Sequence, residues 1–439
     1  MGAVFLILVV AAVVVGLFTG QIDAVARASV DAAGDAVTLA IGLIGVMAFW
    51  LGVVEVLRRA GLLGAIARGL RPVFRRLFPE VPDGHPALAA MTMNIAANML
   101  GLANAATPFG LSAMSQLDRL NGRRGSATDS MCLFLALNTS AVALLPTGVI
   151  AARAALGSGD PAGILVPTLL ATTCSTAVAI TAAFLLAKLP VFRRTRPPVA
   201  PDAGGTDGPE DPADPLPADE SPQTPPWNRP RLIGGLVVLA LTAAGLVYSV
   251  GVLSRDAGLS QAVRSTLTAA PLPLIILLAL GYGWARGVSV YSALVEGARE
   301  GVQVAIRIIP FLVAVLVAIG MFRASGALEW VVGGVGALTA QIGLPGEALP
   351  MALLRPLSGS GAYAVMSEIM KTHGPDSFVG YLVSTMQGST ETTFYVLAVY
   401  GGQVGLARTR HALPACLIAD LAGIAAATAS CHVFFGHLL

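Results

Sequence analysis

The chain has 439 residues, of which 55% are hydrophobic and only 12% are charged, and its formal net charge is +2. Soluble domains carry roughly 25% charged residues, so this composition excludes a soluble globular protein. Apolar stretches such as 36–54, 164–186 and 232–252 are long enough, with their flanks, to cross a hydrocarbon core about 30 Å thick. The composition predicts an all-α polytopic membrane protein with about ten transmembrane helices.

Arginine clusters predict which helix ends face the cytoplasm. They follow the second apolar stretch at 58–76 and the next apolar block at 119–124, and Lys188 and further arginines occupy 188–196. Short cytoplasmic loops carry the excess of Lys and Arg in membrane proteins. We therefore expect a bacterial inner-membrane protein whose N-terminus is cytoplasmic.

Two further blocks, 87–117 and 348–370, do not have the pattern of simple crossings, because Gly and Pro residues interrupt both of them. An interrupted helix frees backbone groups that only protein or water can satisfy within a membrane. We predict a re-entrant helical hairpin for each block. The preceding stretches, 61–79 and 326–345, are expected to be amphipathic helices at the membrane surface.

A polar motif occurs once in each half of the chain, inside an apolar stretch each time. Asn138-Thr-Ser lies within 127–150, and Gln387-Gly-Ser-Thr-Glu-Thr-Thr lies within 377–400. From the arginine positions, the first stretch leaves the cytoplasm and the second returns to it. The halves are therefore expected to form an inverted-topology repeat, which is common in secondary transporters with a substrate site at the repeat interface.

The segment between the halves has a very different composition. From residue 197 to 226, ten of thirty residues are Pro, seven are Asp or Glu, and none is Lys or Arg. Such a segment cannot bury enough apolar surface to offset the entropy lost on ordering. It predicts a disordered, acidic, cytoplasmic linker at 191–230 that joins two domains, 1–190 and 231–439.

Polar side chains in the hairpins and in the interrupted spans are the candidate ligands of a small polar solute, because lipid offers them no partners. In the first half they are Asn94, Asn98, Asn104, Asn138 and Ser140. In the second half they are Arg355, Ser358, Ser360, Gln387, Ser389, Thr390 and Glu391. The amides could equally join helices, and Arg355 could equally neutralise Glu368 or Glu391.

Ion coupling has one main candidate in the sequence. Glu391 is a carboxylate within a span, which is the default type of group for coupling to a proton or Na⁺. Asp420, also within an apolar stretch, is a weaker second candidate. A bound proton or Na⁺ would then be a partner besides the solute and the lipid bilayer, and homo-oligomer formation stays open.

Motifs of other function classes are absent from the sequence, which has no phosphate-binding loop, nucleophile elbow, metal-ligand cluster or dinucleotide fingerprint. We therefore expect no enzyme activity, no cofactor, no bound metal and no nucleic-acid partner. Two alternatives to a solute transporter stay open. One is a membrane scaffold that binds an envelope-remodelling partner; the other is a cation pathway, which the lack of Cys and His near the hairpins disfavours.

These motifs also resemble a known family. The first half is similar to the spore maturation protein A family at 94–98, 101–108 and 138–147. The second half is similar to the spore maturation protein B family at 355–361, 374–377 and 387–395. The resemblance is to a fusion of the two, and this group is classed with the nucleoside-recognition (Gate) domains of concentrative nucleoside transporters and bacterial ferrous-iron transporters. It implies a hairpin-containing transport core and a family role in spore core dehydration, with the solute left open.

Overall fold

A computed structural model describes residues 2–198, 229–257, 271–328 and 343–439, together with Trp330, Gly334 and Thr339. Within these residues the chain is almost entirely helical, and the one β-type contact is an isolated bridge between Ser126 and Arg408. This confirms the all-α prediction. The central part of the predicted linker, 199–228, and most of the predicted amphipathic helix at 326–345 lie outside the described residues.

Residues 2–198 form nine helices. They are α1 (Gly2–Thr19), α2 (Ile22–Arg59), α3 (Leu62–Leu77), α4 (Pro86–Met99), α5 (Ala103–Arg119), α6 (Asp129–Thr139), α7 (Thr147–Ala155), α8 (Leu165–Lys188) and α9 (Pro190–Arg193). Helix α2 is longer than the apolar stretch 36–54 that predicted it, since it already begins at Ile22. Helix α3 corresponds to the amphipathic helix predicted at 61–79.

Eight α-helices follow in the described part of the second half. They are α10 (Arg229–Ala257), α11 (Pro271–Ala285), α12 (Val290–Ala324), α13 (Leu349–Leu354), α14 (Gly359–His373), α15 (Phe378–Ser389), α16 (Thr393–Gln403) and α17 (Ala412–Phe435). Short 3₁₀ turns lie at Gly346–Ala348 and Gly436–Leu438. Among the described residues, four helical stretches are long and apolar enough to cross a membrane: Ile22–Arg59, Leu165–Lys188, Pro230–Ser249 and Ala412–Leu438.

The predicted hairpins and span breaks correspond to pairs of shorter helices. Helices α4 and α5 pack against each other as the first hairpin, and α13 and α14 form the second. Gly101 makes the first turn with a φ of +72°, and a Cβ there would lie 2.7 Å from the carbonyl oxygen of Leu145, so glycine is required. Each polar motif interrupts a span, which is why α6 is separate from α7 and α15 from α16.

Equivalent helices of the two halves pack against each other in antiparallel orientation. In the α2–α12 pair, Gly52 approaches Leu294, whereas Ala32, earlier in α2, approaches Gly320, later in α12. In the α8–α17 pair, the carbonyl of Pro167, early in α8, accepts the hydroxyl of Ser430, late in α17, over 3.5 Å. Ser175, later in α8, donates to the carbonyl of Ala419, earlier in α17, over 2.8 Å. Two equivalent helices that run in opposite directions side by side are what an inverted repeat requires.

The packing of the outer helices follows the same symmetry. Helix α1 of the first half contacts α12, which is the counterpart of α2. In the same way, α11 of the second half contacts α2, so α11 is the counterpart of α1. Helix α10 is then an additional helix in the described chain, placed ahead of the second repeat. One additional crossing reverses the direction in which the second repeat enters the membrane, which accounts for the inversion.

Two buried arginines join the halves at opposite ends of the molecule. Arg153 of the first half donates to Asp376, just before α15, over 2.8 Å. Arg410 of the second half donates to Asp129, the first residue of α6, over 2.7 Å. Each arginine therefore holds the start of a half-helix that belongs to the other repeat.

The beginning of the predicted linker is part of the folded structure. Gly122 donates its backbone N–H to the carbonyl of Pro198 over 3.0 Å, and Arg196 forms an ion pair with Asp129 at 3.0 Å. Residues 191–198 are thus attached to the helical bundle, which differs from the expectation that the linker is disordered from residue 191. The cause is that the basic side chain of Arg196 has an acidic partner on α6, and the backbone carbonyl of Pro198 has a donor in the loop after α5.

Candidate functional site

The two interrupted spans meet at their unwound segments. The N–H of Glu391 donates to the carbonyl of Thr139 over 2.6 Å, which joins the second break to the end of α6. Gly388 lies against Thr168 and Pro146, and a Cβ on it would lie 2.7 Å from Cγ2 of Thr168. The polar motifs of the two halves therefore lie side by side at the interface between the repeats.

The first hairpin is bonded to the first break through a pair of amides. The Asn98 side chain donates to Oδ1 of Asn138 over 3.0 Å. Ser140 is buried, its hydroxyl donates to the carbonyl of Ala136, and its own carbonyl accepts a hydrogen bond from the Thr176 hydroxyl. The structure thus brings Asn98, Asn138 and Ser140 together, but it also gives each of them a protein partner.

Asn94 lies between the arms of the first hairpin and the second half. Its amide N–H group donates to the carbonyl of Ala106 over 2.8 Å and to Oη of Tyr400 over 3.2 Å. Its Oδ1 atom is buried and has no hydrogen-bond partner among the described residues. Asn104 is the second residue of α5, and the position of its side chain is outside the described part of the structure.

Arg355, in the turn of the second hairpin, pairs with Glu391 and not with Glu368. Its guanidinium lies 3.8 Å from Oε2 of Glu391 and donates to the Thr392 hydroxyl over 3.3 Å. Glu368 is paired with Arg323 instead, at 3.2 Å. Arg355 is buried whereas the Glu391 side chain is 54% exposed. In this ion pair the carboxylate is therefore accessible to water and the guanidinium is not.

Ser358 and Ser360 lie at the start of α14, beside the second break. Ser358 is the N-cap residue, and its hydroxyl accepts the N–H of Gly361 over 3.0 Å. Ser360 Oγ lies 3.5 Å from Ser358 Oγ. A Cβ on Gly359 would lie 2.8 Å from the Thr392 hydroxyl, so the N-terminus of α14, with its positive partial charge, adjoins the break.

The remaining predicted ligands in the second break differ in what their side chains contact. Gln387 is half-buried, and its Oε1 atom has no hydrogen-bond partner among the described residues. The Ser389 hydroxyl donates to the carbonyl of Met386 over 2.8 Å, so its hydrogen bond is to the backbone of its own helix, α15. Thr390 is buried and faces α17, where a Cβ on Gly423 would lie 2.5 Å from its methyl group.

Asp420, the second coupling candidate of the sequence prediction, is buried beside the second break. It is 1% exposed in α17, and its Oδ2 atom accepts the Thr393 hydroxyl over 2.6 Å. Arg355 and Glu391 both interact with its charge. The signal was an aspartate inside an apolar span, but only the fold shows that it adjoins the second break.

Arg153 is a group that the sequence prediction missed. It is 0% exposed, and besides Asp376 it donates to the Ser158 hydroxyl over 3.2 Å. Its guanidinium lies 4.1 Å above the ring of Tyr381. Burial raises the pKa of the neighbouring Asp160 in the loop after α7. An arginine in an apolar stretch predicts a buried partner, although the sequence does not identify it.

A cavity of about 770 Å³ is lined by charged helix ends and by residues of the first hairpin turn and of α7, which follows the first break. Its charged end is formed by Glu55, Arg58, Arg59, Glu296, Arg299 and Glu300. Its other end is formed by Gly101 and Leu102 at the hairpin turn and by Thr147 and Gly148 at the start of α7. The turn of the first hairpin and the start of α7 therefore share one cavity with the charged helix ends.

Comparison with known proteins supports a family assignment. Residues 40–156 and 305–407 match the family model described as Gate, nucleoside recognition. The chain is 45% identical over 170 residues to spore maturation protein B of Bacillus subtilis (strain 168), covering 39% of this chain and 96% of that protein. It is 43% identical over 168 residues to spore maturation protein A of the same organism, covering 38% of this chain and 86% of that protein.

The chain has a weak structural similarity to the YdaH transporter of Alcanivorax borkumensis, with a TM-score of 0.42 and 16% identity over 92% of this chain and 87% of that chain. This similarity is too weak to assign a property to the chain. The family match and the two relatives carry the assignment, and the apolar helices agree with it. The chain is a multi-pass membrane protein that belongs to the Gate, or nucleoside recognition, family, and it resembles a fusion of spore maturation proteins A and B.

Proposed function

We propose that the protein carries a small polar solute across the membrane through a site where its two interrupted spans meet. The observation that carries this proposal is the hydrogen bond between the Thr139 carbonyl and the Glu391 N–H, because it joins the unwound segments of two antiparallel repeats. Unwound segments at a repeat interface supply the ligands in many secondary transporters. Two buried atoms that have no hydrogen-bond partner in the described part of the chain, Oε1 of Gln387 and Nε of Arg355, adjoin the same place.

The charges and hydrogen-bonding groups limit the class of solute. Arg355 and the N-terminus of α14 favour an anionic or electron-rich group, whereas the exposed Glu391 favours a cationic or hydroxyl group. The amides of Asn98, Asn138 and Gln387 can both donate and accept hydrogen bonds. A neutral or zwitterionic solute with several hydroxyl or amide groups, such as a nucleoside, therefore fits better than a simple anion.

The proposed setting is the bacterial inner membrane, with a cytoplasmic N-terminus. In this orientation the arginine-rich helix ends face the cytoplasm, and the cavity of about 770 Å³ opens on that side. The relatives are spore maturation proteins, so we propose a role in spore maturation where the organism forms spores. No catalytic step, cofactor or bound metal is part of the proposal.

A binding screen followed by transport tests this function. The purified protein is heated with nucleosides and with small mono- and dicarboxylates, since a ligand that binds only the folded state raises the melting temperature. A ligand should stabilise the unmodified protein and Gln403→Leu but not Gln387→Leu. Gln403 is a matched control because it lies at the end of α16, where its amide bonds to Ser115. The same ligand should then enter proteoliposomes.

A non-transporting scaffold is the second candidate, and one observation favours it. Several of the predicted ligands are already paired with one another or with protein groups, as in Asn98 with Asn138 and Arg355 with Thr392. Fully paired polar groups serve as links between helices. If no tested solute stabilises the protein or enters proteoliposomes, the scaffold becomes the better explanation.

A further inference from the structure

The carboxyl group of Asp420 has unusual surroundings for a buried acid. Its Oδ2 atom accepts the Thr393 hydroxyl, but its Oδ1 atom is buried and has no hydrogen-bond partner among the described residues. The Thr390 hydroxyl lies beside the same carboxyl group, and it too forms no hydrogen bond of normal geometry there. A buried carboxylate oxygen without a donor is costly, because nothing replaces the water it has lost.

The charges around Asp420 do not balance if every acid is ionised. Arg355 and Glu391 face it from the second hairpin and the second break, and Cys416 lies one turn earlier on α17. Among the described residues, the other helices packed against α17 contribute no compensating charge near Asp420. On α6 the charged residue is Asp129, and on α8 it is Lys188; both line a cavity at the far end of α17, beside His411. One arginine and two carboxylates leave a net charge of −1, which a single bound proton removes.

Burial decides which of the two acids holds that proton. The side chain of Glu391 is 54% exposed, so it can stay ionised in contact with water and beside Arg355. Asp420 is 1% exposed and has one donor, so the ionised form loses most of its hydration. We propose that Asp420 is a proton-binding site, protonated in this conformation and separate from the solute ligands.

A hydrogen bond between Oδ1 and the Thr390 hydroxyl would satisfy both atoms that lack partners, and in the protonated form Oδ1 is the donor. A proton on Oδ1 makes this atom a donor, and the Thr390 hydroxyl beside it is an available acceptor. Gly423 allows this approach, since a Cβ there would lie 2.5 Å from the Thr390 methyl group. Thr390 is in the second break, so a hydrogen bond from protonated Asp420 would hold that break against α17.

Proton occupancy and the position of the break are therefore linked. Movement of the break away from α17 removes the Thr390 and Thr393 hydroxyls from Asp420 and admits water, which favours release of the proton. If the protein transports a solute through the break, proton release would accompany that movement. This coupling rests on the proposed function, whereas the protonation of Asp420 does not.

Infrared spectroscopy tests the proton site without a solute. A protonated carboxyl group has a carbonyl stretching band distinct from that of a carboxylate, so spectra of the full-length protein in liposomes are recorded across a pH series. We expect a buried protonated-acid band that disappears at high pH and is absent in Asp420→Asn. Glu391→Gln removes one of the two negative charges near Arg355, so the band should remain in this variant but disappear at a lower pH. Thr393→Val removes a donor to the carboxylate, so it should move the disappearance of the band to higher pH.

Several results would overturn the proposal. One is a band that persists in folded Asp420→Asn or is missing at every pH in Glu391→Gln; another is no protonated-acid band at any pH. Loss of the band on addition of Na⁺ at constant pH would show that a metal cation occupies the site instead. If Asp420→Asn does not fold, Thr393→Val and Glu391→Gln still decide the assignment. A confirmed band without solute uptake would refute the transport proposal while leaving the proton site in place.

Discussion

Substitution of Arg153 by methionine should destabilise the protein far more than loss of an exposed ion pair between the same halves. The guanidinium is 0% exposed and donates to the carbonyls of Pro375 and Asp160, to two serine hydroxyls, and to Asp376. Methionine fills a similar volume but donates no hydrogen bond. The substitution therefore leaves acceptors at the start of α15 without their donor.

The size of the effect follows from which groups stay buried. Removal of one partner of a buried ion pair costs about 3 to 5 kcal/mol. Asp376 is 40% exposed and can be rehydrated, which lowers the cost, but the two carbonyls each lose a donor. We expect a loss of about 3 kcal/mol in the free energy of unfolding. Arg153→Lys keeps the charge but loses the planar fork of donors, so its effect should be intermediate.

The assay is reversible unfolding in mixed micelles with increasing SDS, followed by circular dichroism. Lys371→Met is the matched control, because Lys371 also joins the halves, through an exposed ion pair with Asp35 at 2.6 Å. An exposed pair contributes about 0 to 1 kcal/mol. If Arg153→Met costs no more than Lys371→Met, the buried arginine does not hold the halves together and the reasoning is wrong.

Two further predictions concern His411 and Gly110. Burial lowers the pKa of His411 from 6.5 to about 4, so only the unfolded chain takes up a proton as the pH falls through this range. The free energy of unfolding should therefore decrease between pH 6.5 and pH 4, by up to about 3 kcal/mol. His411→Gln should reduce the slope of the free energy of unfolding against pH in this range, and an unchanged slope would contradict the assignment. In Gly110→Ala the new Cβ would lie 2.4 Å from the Tyr400 ring, so thermal unfolding should show a loss of about 1 to 3 kcal/mol. Gly69→Ala, with open space around it on α3, should be neutral or slightly stabilising, and equal effects of the two substitutions would refute the packing argument.

The large elements could be predicted from the sequence because their causes are local. Glycine and proline in 87–117 and 348–370 interrupt helices wherever the chain folds, so both hairpins were found at nearly the right residues. The polar motifs likewise marked the breaks after α6 and α15. The inverted orientation followed from arginine positions along the chain, and the antiparallel α2–α12 and α8–α17 pairs agree with it.

The partners of individual side chains could not be predicted, because they depend on contacts between distant parts of the chain. Arg355 had two candidate partners, and only the fold selects Glu391, since Glu368 lies beside Arg323. Asp420 is 27 residues from Thr393, so its hydrogen bond has no local signal. Whether each predicted ligand binds a solute stays a prediction.

The most direct test of the inverted repeat is a disulfide between α2 and α12. A Cβ on Gly320 would lie 3.1 Å from that of Ala32, close enough for a disulfide after a small shift. Gly297 lies against Leu51, about 30 Å farther along α2. With native cysteines replaced and a protease site inserted between residues 199 and 228, oxidised Ala32→Cys/Gly320→Cys should stay one band after cleavage on a non-reducing gel. Ala32→Cys/Gly297→Cys should separate into two bands. The reverse result would mean that the two helices run parallel, and the central claim of oppositely oriented halves would be contradicted.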